Sequence, residues 1–125
     1  MQFNAVKEPW GTGNQRWLGS AHGTSSAQTV TLDASKLTKY KEAGMIPAGT
    51  PLKAGSAGKF EPVTAAADEL AGFLLTDQSV SGTGDVIAPM LDHGRIRVDY
   101  LPQGAFDVTK LTTPTTHFIF SKEAN

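Results

Sequence analysis

From Gln28 onward, apolar and polar residues alternate in short runs. In QTVTLD, Val30 and Leu32 alternate with Thr29, Thr31 and Asp33, the two-residue period of a half-buried strand. In GRIRVDYL (94–101), Ile96, Val98 and Tyr100 alternate with Arg95, Arg97 and Asp99. GDVIAPML (84–91) and THFIFS (116–121) predict two more strands. Asp92-His93-Gly94 reads as a tight turn, so 84–100 is predicted to form a β-hairpin. LAGFLLT (70–76) is apolar throughout with Gly72 inside it, which fits a buried strand with a close contact at the glycine better than a helix. Helical signals are short. Asp33 or Ser35 can cap a turn or two over 34–40, QGAFDVTKL (103–111) can hold one turn, and AAADEL (65–70) gives the 64–69 stretch helix propensity.

The stretch AGMIPAGTPLKAGSAGKFEPV (43–63) is punctuated by glycine and proline. Ile46, Ala48-Gly49, Leu52 and Lys53 suggest a short strand, AGSAGK a turn, and KFEPV a return strand. Gly49 and Pro51 shape the strand entry, Gly55 and Gly58 make the turn, and Leu52, Phe60 and Val63 are core candidates. Lys59 after Gly58 invites comparison with a phosphate-binding loop, G-x-x-x-x-G-K-[ST]. Lys53 stands where the first glycine belongs and Phe60 where the hydroxyl belongs, so no ligand is assigned here. No strand is followed by a 10–15-residue amphipathic helix, and no internal repeat is present. The pattern is a single, mainly β domain with short helical segments, a small barrel or sandwich over 28–125.

Residues 1–27 follow neither period. GTGNQRWLGSAHGTSSAQ is rich in Gly, Ser, Thr and Asn, yet the segment carries Phe3, Trp10 and Trp17, including both tryptophans of the chain. It reads as an extended, mobile N-terminal arm. The tryptophans either fold back onto their own domain or dock on a partner, where Trp is a common anchor. Docking makes both exposed in the free protein.

Composition narrows the chemistry. In 125 residues, 11 Lys and Arg oppose 12 Asp and Glu, which gives no positive field for nonspecific nucleic-acid binding. There is no cysteine, hence no disulfide, thiol catalysis or zinc–thiolate site. No signal peptide is visible at the start, and no apolar run reaches the roughly 18 residues that span a bilayer, so a soluble chain made in the cytoplasm is expected. His22, His93 and His117 are widely spaced and lack local metal-pair spacing, and adjacent Asp92 and His93 are expected to point apart. Asp77, Asp85, Asp92 and Asp99 read as solvated turn and strand ends, and no G-x-S-x-G elbow occurs. No catalytic, metal or cofactor site is expected.

Taken in order, Gly49-Thr50-Pro51-Leu52, Lys59, Ala71-Gly72-Phe73-Leu74 and Gly94-Arg95-Ile96-Arg97 resemble the head-decoration proteins of tailed phages, the lambda D-like family, over residues 44–102. The resemblance implies a β-tulip-type domain that forms a homotrimer. Such a trimer would sit on the outer capsid surface at three-fold and quasi-three-fold positions and bind the major capsid protein to reinforce the mature head. It also implies an arm that orders on the capsid, which places Trp10, Asn14, Gln15, Arg16 and Trp17 as capsid-binding residues. Gly49, Pro51, Leu52, Gly58, Phe60 and Gly72 are then structural. The arm tryptophans and the chain after 102 depart from the family pattern. Two alternatives remain: a β-clip-type small-molecule-binding or dUTPase-like domain, for which RVDYLPQG is a faint echo, and another virion protein such as a tail component.

Overall fold

The computed structural model describes residues 16–19, 27–80, 84–113, 115 and 117–121. The strands are β1 (Gln28–Leu32), β2 (Met45–Ile46), β3 (Pro51–Ala54), β4 (Phe60–Pro62), β5 (Gly72–Leu74), β6 (Gln78–Ser79), β7 (Val86–Leu91), β8 (Gly94–Arg97) and β9 (Phe118–Ser121), with one short helix, α1 (Thr38–Lys41). Single 3-10 turns lie at Ala34–Lys36, Ser56–Gly58, Val98–Tyr100 and Val108–Lys110. Asp33 caps the first of them by accepting from the Ser35 amide at 3.0 Å.

Five strands close a barrel in the order β1-β4-β3-β5-β7. All neighbours are antiparallel except β1 and β4, which meet in parallel at Leu32 and Phe60. Val30, Leu32, Leu52, Leu74, Ala88 and Met90 form the first core, joined by Leu37, Ile46 and Val80. The β2–β6 pair brings Ile46 there. Around the predicted loop, Pro51 opens β3, Leu52 is fully buried, and Phe60 packs partly buried against this core.

A second core lies on the other side of β5 and β7. Successive side chains of a strand point to opposite faces. Leu74 and Met90 face each other across the pair and join the first core, while Phe73 and Leu91 face each other and join the second. The short wall is buried on both sides, which is why LAGFLL reads as continuously apolar rather than alternating. Ile96 of β8 and Phe118 of β9, in a two-stranded parallel sheet, cover the outer side.

Three expectations are corrected. The 84–100 segment is not a hairpin. Both edges of β7 are taken, by β1 and β5, so the chain crosses after Leu91 and β8 pairs with β9 instead. Regular alternation ends at Arg97, where Val98–Tyr100 turns. Residues 64–69 form no helix, because the Asp68 carboxylate accepts the amides of Thr64 and Ala65, each at 2.9 Å, and side-chain bonding of this kind competes with helical hydrogen bonds. In the 55–58 turn, Gly55 is extended, and the left-handed positions are Ala57 and Gly58.

Gly72 is required by its neighbours. A Cβ there would stand 2.4 Å from the Leu91 carbonyl oxygen and 2.8 Å from Met90 Cγ, and the first of these is backbone that cannot swing away. Gly72→Ala is expected to destabilise the domain by about 1–3 kcal/mol. Urea unfolding followed by far-UV circular dichroism checks this, and an unchanged midpoint would contradict the close approach.

Candidate functional site

The most built feature outside the barrel is the seat of Arg16–Gly19. The Gly19 amide donates to the Arg95 carbonyl at 2.8 Å and the Arg97 amide to the Trp17 carbonyl at 2.6 Å. Leu18 stands opposite Ile96 in antiparallel register. The segment therefore pairs with the free side of β8, across from β9. It enters where residues 1–27 were expected to form an arm. Trp17 is completely buried. Its ring lies 5.9 Å from that of Phe73, which in turn meets Phe118 edge-on at 5.0 Å and Phe120 at 6.4 Å. Offset and edge-on aromatic contacts of this kind add to the area they bury.

Gly49 makes room for the indole. Its φ is +93°, and a Cβ would come within 3.0 Å of Trp17 Nε1 and 2.8 Å of Pro102. Gly49 is thus needed for both backbone shape and the socket, beyond the strand entry that the sequence suggested. Arg16 stays exposed, and its guanidinium sits 4.5 Å from the centre of the Tyr100 ring, a cation–π distance.

The expectation that Trp17 is exposed and docks on a partner is corrected: it is a core residue of its own domain. Arg16 is turned against Tyr100. Trp10, Asn14 and Gln15 lie outside the described residues. The local signal for the seat was Trp17-Leu18-Gly19, two large apolar residues ahead of a glycine, but nothing in the sequence pointed to β8 as their partner.

The structure also joins groups that sequence spacing held apart. His93 and His117 line one cleft of about 400 Å³ with Gln28, Phe60, Ala71, Met90 and Asp92. Asp92 and His93 do not point apart: His93 Nδ1 lies 2.8 Å from Asp92 Oδ1, and Gln28 Nε2 donates to Asp92 Oδ2 at 3.2 Å. The arrangement is a carboxylate-oriented imidazole above an apolar floor. It can accept or donate a proton, and among the described residues that line the cleft none is a Ser, Thr, Cys or Lys that could act as a nucleophile. Among the described residues, no three His, Cys, Asp or Glu side chains are grouped to hold a metal ion, and no helix is long and apolar enough to cross a membrane.

Two ion-pair groups brace the barrel wall. Lys59 pairs with Asp85 at 2.8 Å. The Ala34 amide, donating to Asp85 at 2.9 Å, is the main cause holding that carboxyl below its ordinary range, with Lys59 second. Lys53 lies 2.9 Å from Asp68 and 3.7 Å from Glu61. The Lys53 ammonium, then the Thr64 amide, hold the Asp68 carboxyl down at about 2 against an ordinary 3.8. No protein-family model matches the chain, and no curated protein matches it.

Three outcomes follow from this geometry. With Trp10 replaced by phenylalanine, Trp17 becomes the sole tryptophan, and its emission should be blue and poorly quenched by acrylamide. Red, readily quenched emission would contradict its burial. Trp17→Ala should cost about 3–5 kcal/mol in chemical denaturation. Asp68 is depressed in the folded state, so its stabilisation is complete above about pH 4 and is lost as pH falls toward 2. Asp68→Asn should lower stability at pH 7 by about 1–3 kcal/mol and flatten the acid limb of a stability–pH curve. An identical acid limb would contradict the assignment.

Proposed function

We propose that this chain is a capsid-decoration protein. As a homotrimer it binds the outside of a mature phage head at three-fold and quasi-three-fold positions, contacts the major capsid protein there, and reinforces the shell against internal pressure. The observation that carries this reading is the ordered set of segments at 49–52, 59, 71–74 and 94–97 and where those segments lie. They lead into or form β3, β4, β5 and β8, so the resemblance rests on barrel and sheet strands rather than on scattered loop residues. A cement role asks for a rigid body and an attached binding segment, not for a reaction centre.

The seat of Trp17 refines how such a protein would hold its partner. Residues 1–15 precede an anchor made by Trp17 and two backbone hydrogen bonds. Drawn out fully, fifteen residues reach at most about 50 Å, enough to cross from the body onto a neighbouring subunit. Three such segments on one trimer raise one another's effective concentration once the first has bound. Phe3 and Trp10 are the apolar anchors left in that segment, since Trp17 is committed to the fold.

The test is co-pelleting with undecorated mature heads of the phage that carries the gene. Full-length protein should pellet saturably. A form lacking residues 1–15 should stay folded and bind at least about tenfold more weakly, the loss of avidity expected when tethers are removed. Removing 1–27 should instead destabilise the domain, because it takes Trp17 away. Full-length protein that stays in the supernatant overturns the decoration reading. Binding to tails, or hydrolysis of a nucleotide, would favour the alternatives.

A further inference from the structure

The chain has three arginines, Arg16, Arg95 and Arg97, and the fold gathers all of them at one small sheet. Arg16 precedes the segment paired to β8, and Arg95 and Arg97 are on β8 itself. Arg95 and Arg97 alternate with buried Ile96 and so share the outer face. Their register partners on β9 are Ile119 and Ser121. Ile119 is 57% exposed and stands beside Arg95. The stem of Arg95 lies across Gly19, where a Cβ would come within 2.7 Å of its Cγ. Among the described residues, no carboxylate lies within ion-pair distance of either β8 guanidinium, whereas Lys53 and Lys59 both have acidic partners. Among the described residues, then, nothing pairs with the two positive charges of this face, which lie beside an exposed aliphatic side chain.

The same chain carries an opposite surface. Glu61 and Asp68 share the single ammonium of Lys53. Exposed Glu69 follows Asp68 and lines a cleft with Ala54, the neighbour of Lys53. Glu61 and Asp68 together outweigh the one charge of Lys53, and Glu69, exposed next to Asp68 in the chain, adds a further carboxylate to this side of the surface. We propose that the outer face of β8 and β9, carrying Arg95, Arg97 and Ile119, docks on the acidic shoulder formed by Glu61, Asp68 and Glu69 of a second copy of this chain. The inference rests on the trimer part of the reading above and names the surfaces that make it.

Charge complementarity selects this occupant. Two guanidiniums would neutralise too few phosphates for firm nucleic-acid binding, and an exposed isoleucine suits a protein surface. The two surfaces differ, so the contact is head-to-tail, the type that closes into rings. Arginine forks suit carboxylates, and rim charges of this sort set orientation and partner choice. Ile119 supplies apolar area at the contact. Salt should weaken the association, since exposed charges are screened over about 8 Å at physiological ionic strength.

The test is the mass of the full chain by light scattering over a dilution series, at low and high salt, with thermal melting as a check of folding. Arg95→Glu combined with Arg97→Glu should raise the dissociation constant at least about tenfold while the melting temperature holds. Glu69→Arg alone should also weaken association. Combined with the two arginine reversals, it should restore part of what they lose, because the new arginine meets the new glutamates. Ile119→Ser gives a readout independent of charge and should weaken association too. Arginine reversals that leave the mass unchanged, or a combined variant whose losses simply add, overturn this assignment and leave the trimer and head binding standing. A wild-type chain that is monomeric at every concentration overturns both this inference and the trimer. Head binding is then decided by co-pelleting alone.

Discussion

The structure depends on a short wall buried on both sides. Across β5 and β7, Leu74 and Met90 face the barrel core while Phe73 and Leu91 face the layer that holds Trp17, Ile96 and Phe118. Gly72 lets the two strands approach closely enough for this, with no side chain between its backbone and the Leu91 carbonyl. Because β7 gives both edges to the barrel, the chain after it must leave, and β8 is free to pair with β9 on one side and with Trp17–Gly19 on the other. The N-terminal anchor is thus a consequence of how the barrel closes.

Much of this was legible locally. The alternation in QTVTLD placed β1, the glycine-broken apolar run placed β5, and FIFS placed β9. Gly49 and Pro51 marked the entry to β3. What a local pattern cannot carry is pairing. Val86–Leu91 followed by Asp92-His93-Gly94 looks like half a hairpin, and only the claims of β1 and β5 on both edges of β7 rule that out. AAADEL favoured a helix by propensity, yet the Asp68 carboxylate bound the amides a helix would have needed.

The candidate site shows the same limit more sharply. Trp17 sits in a polar, glycine-rich setting that reads as an arm, and its burial depends on Phe73 and Gly49, each distant in sequence. Likewise Asp92 and His93 are adjacent but meet through the turn they occupy, with Gln28 holding the carboxylate, and His117 joins their cleft through the parallel pairing of β8 with β9. Residue type was informative, since a tryptophan in such a segment had to bury itself somewhere. Its destination was a tertiary fact. With that residue in the core, Phe3 and Trp10 are the aromatic residues of 1–15 that the proposed docking could use.

The most direct measurement is an electron cryo-microscopy reconstruction of mature heads with and without the added protein. Head decoration requires added density the size of three barrels at the three-fold and quasi-three-fold positions of the outer surface. Reconstructions that are identical with and without the protein, or density confined to the tail, would contradict it.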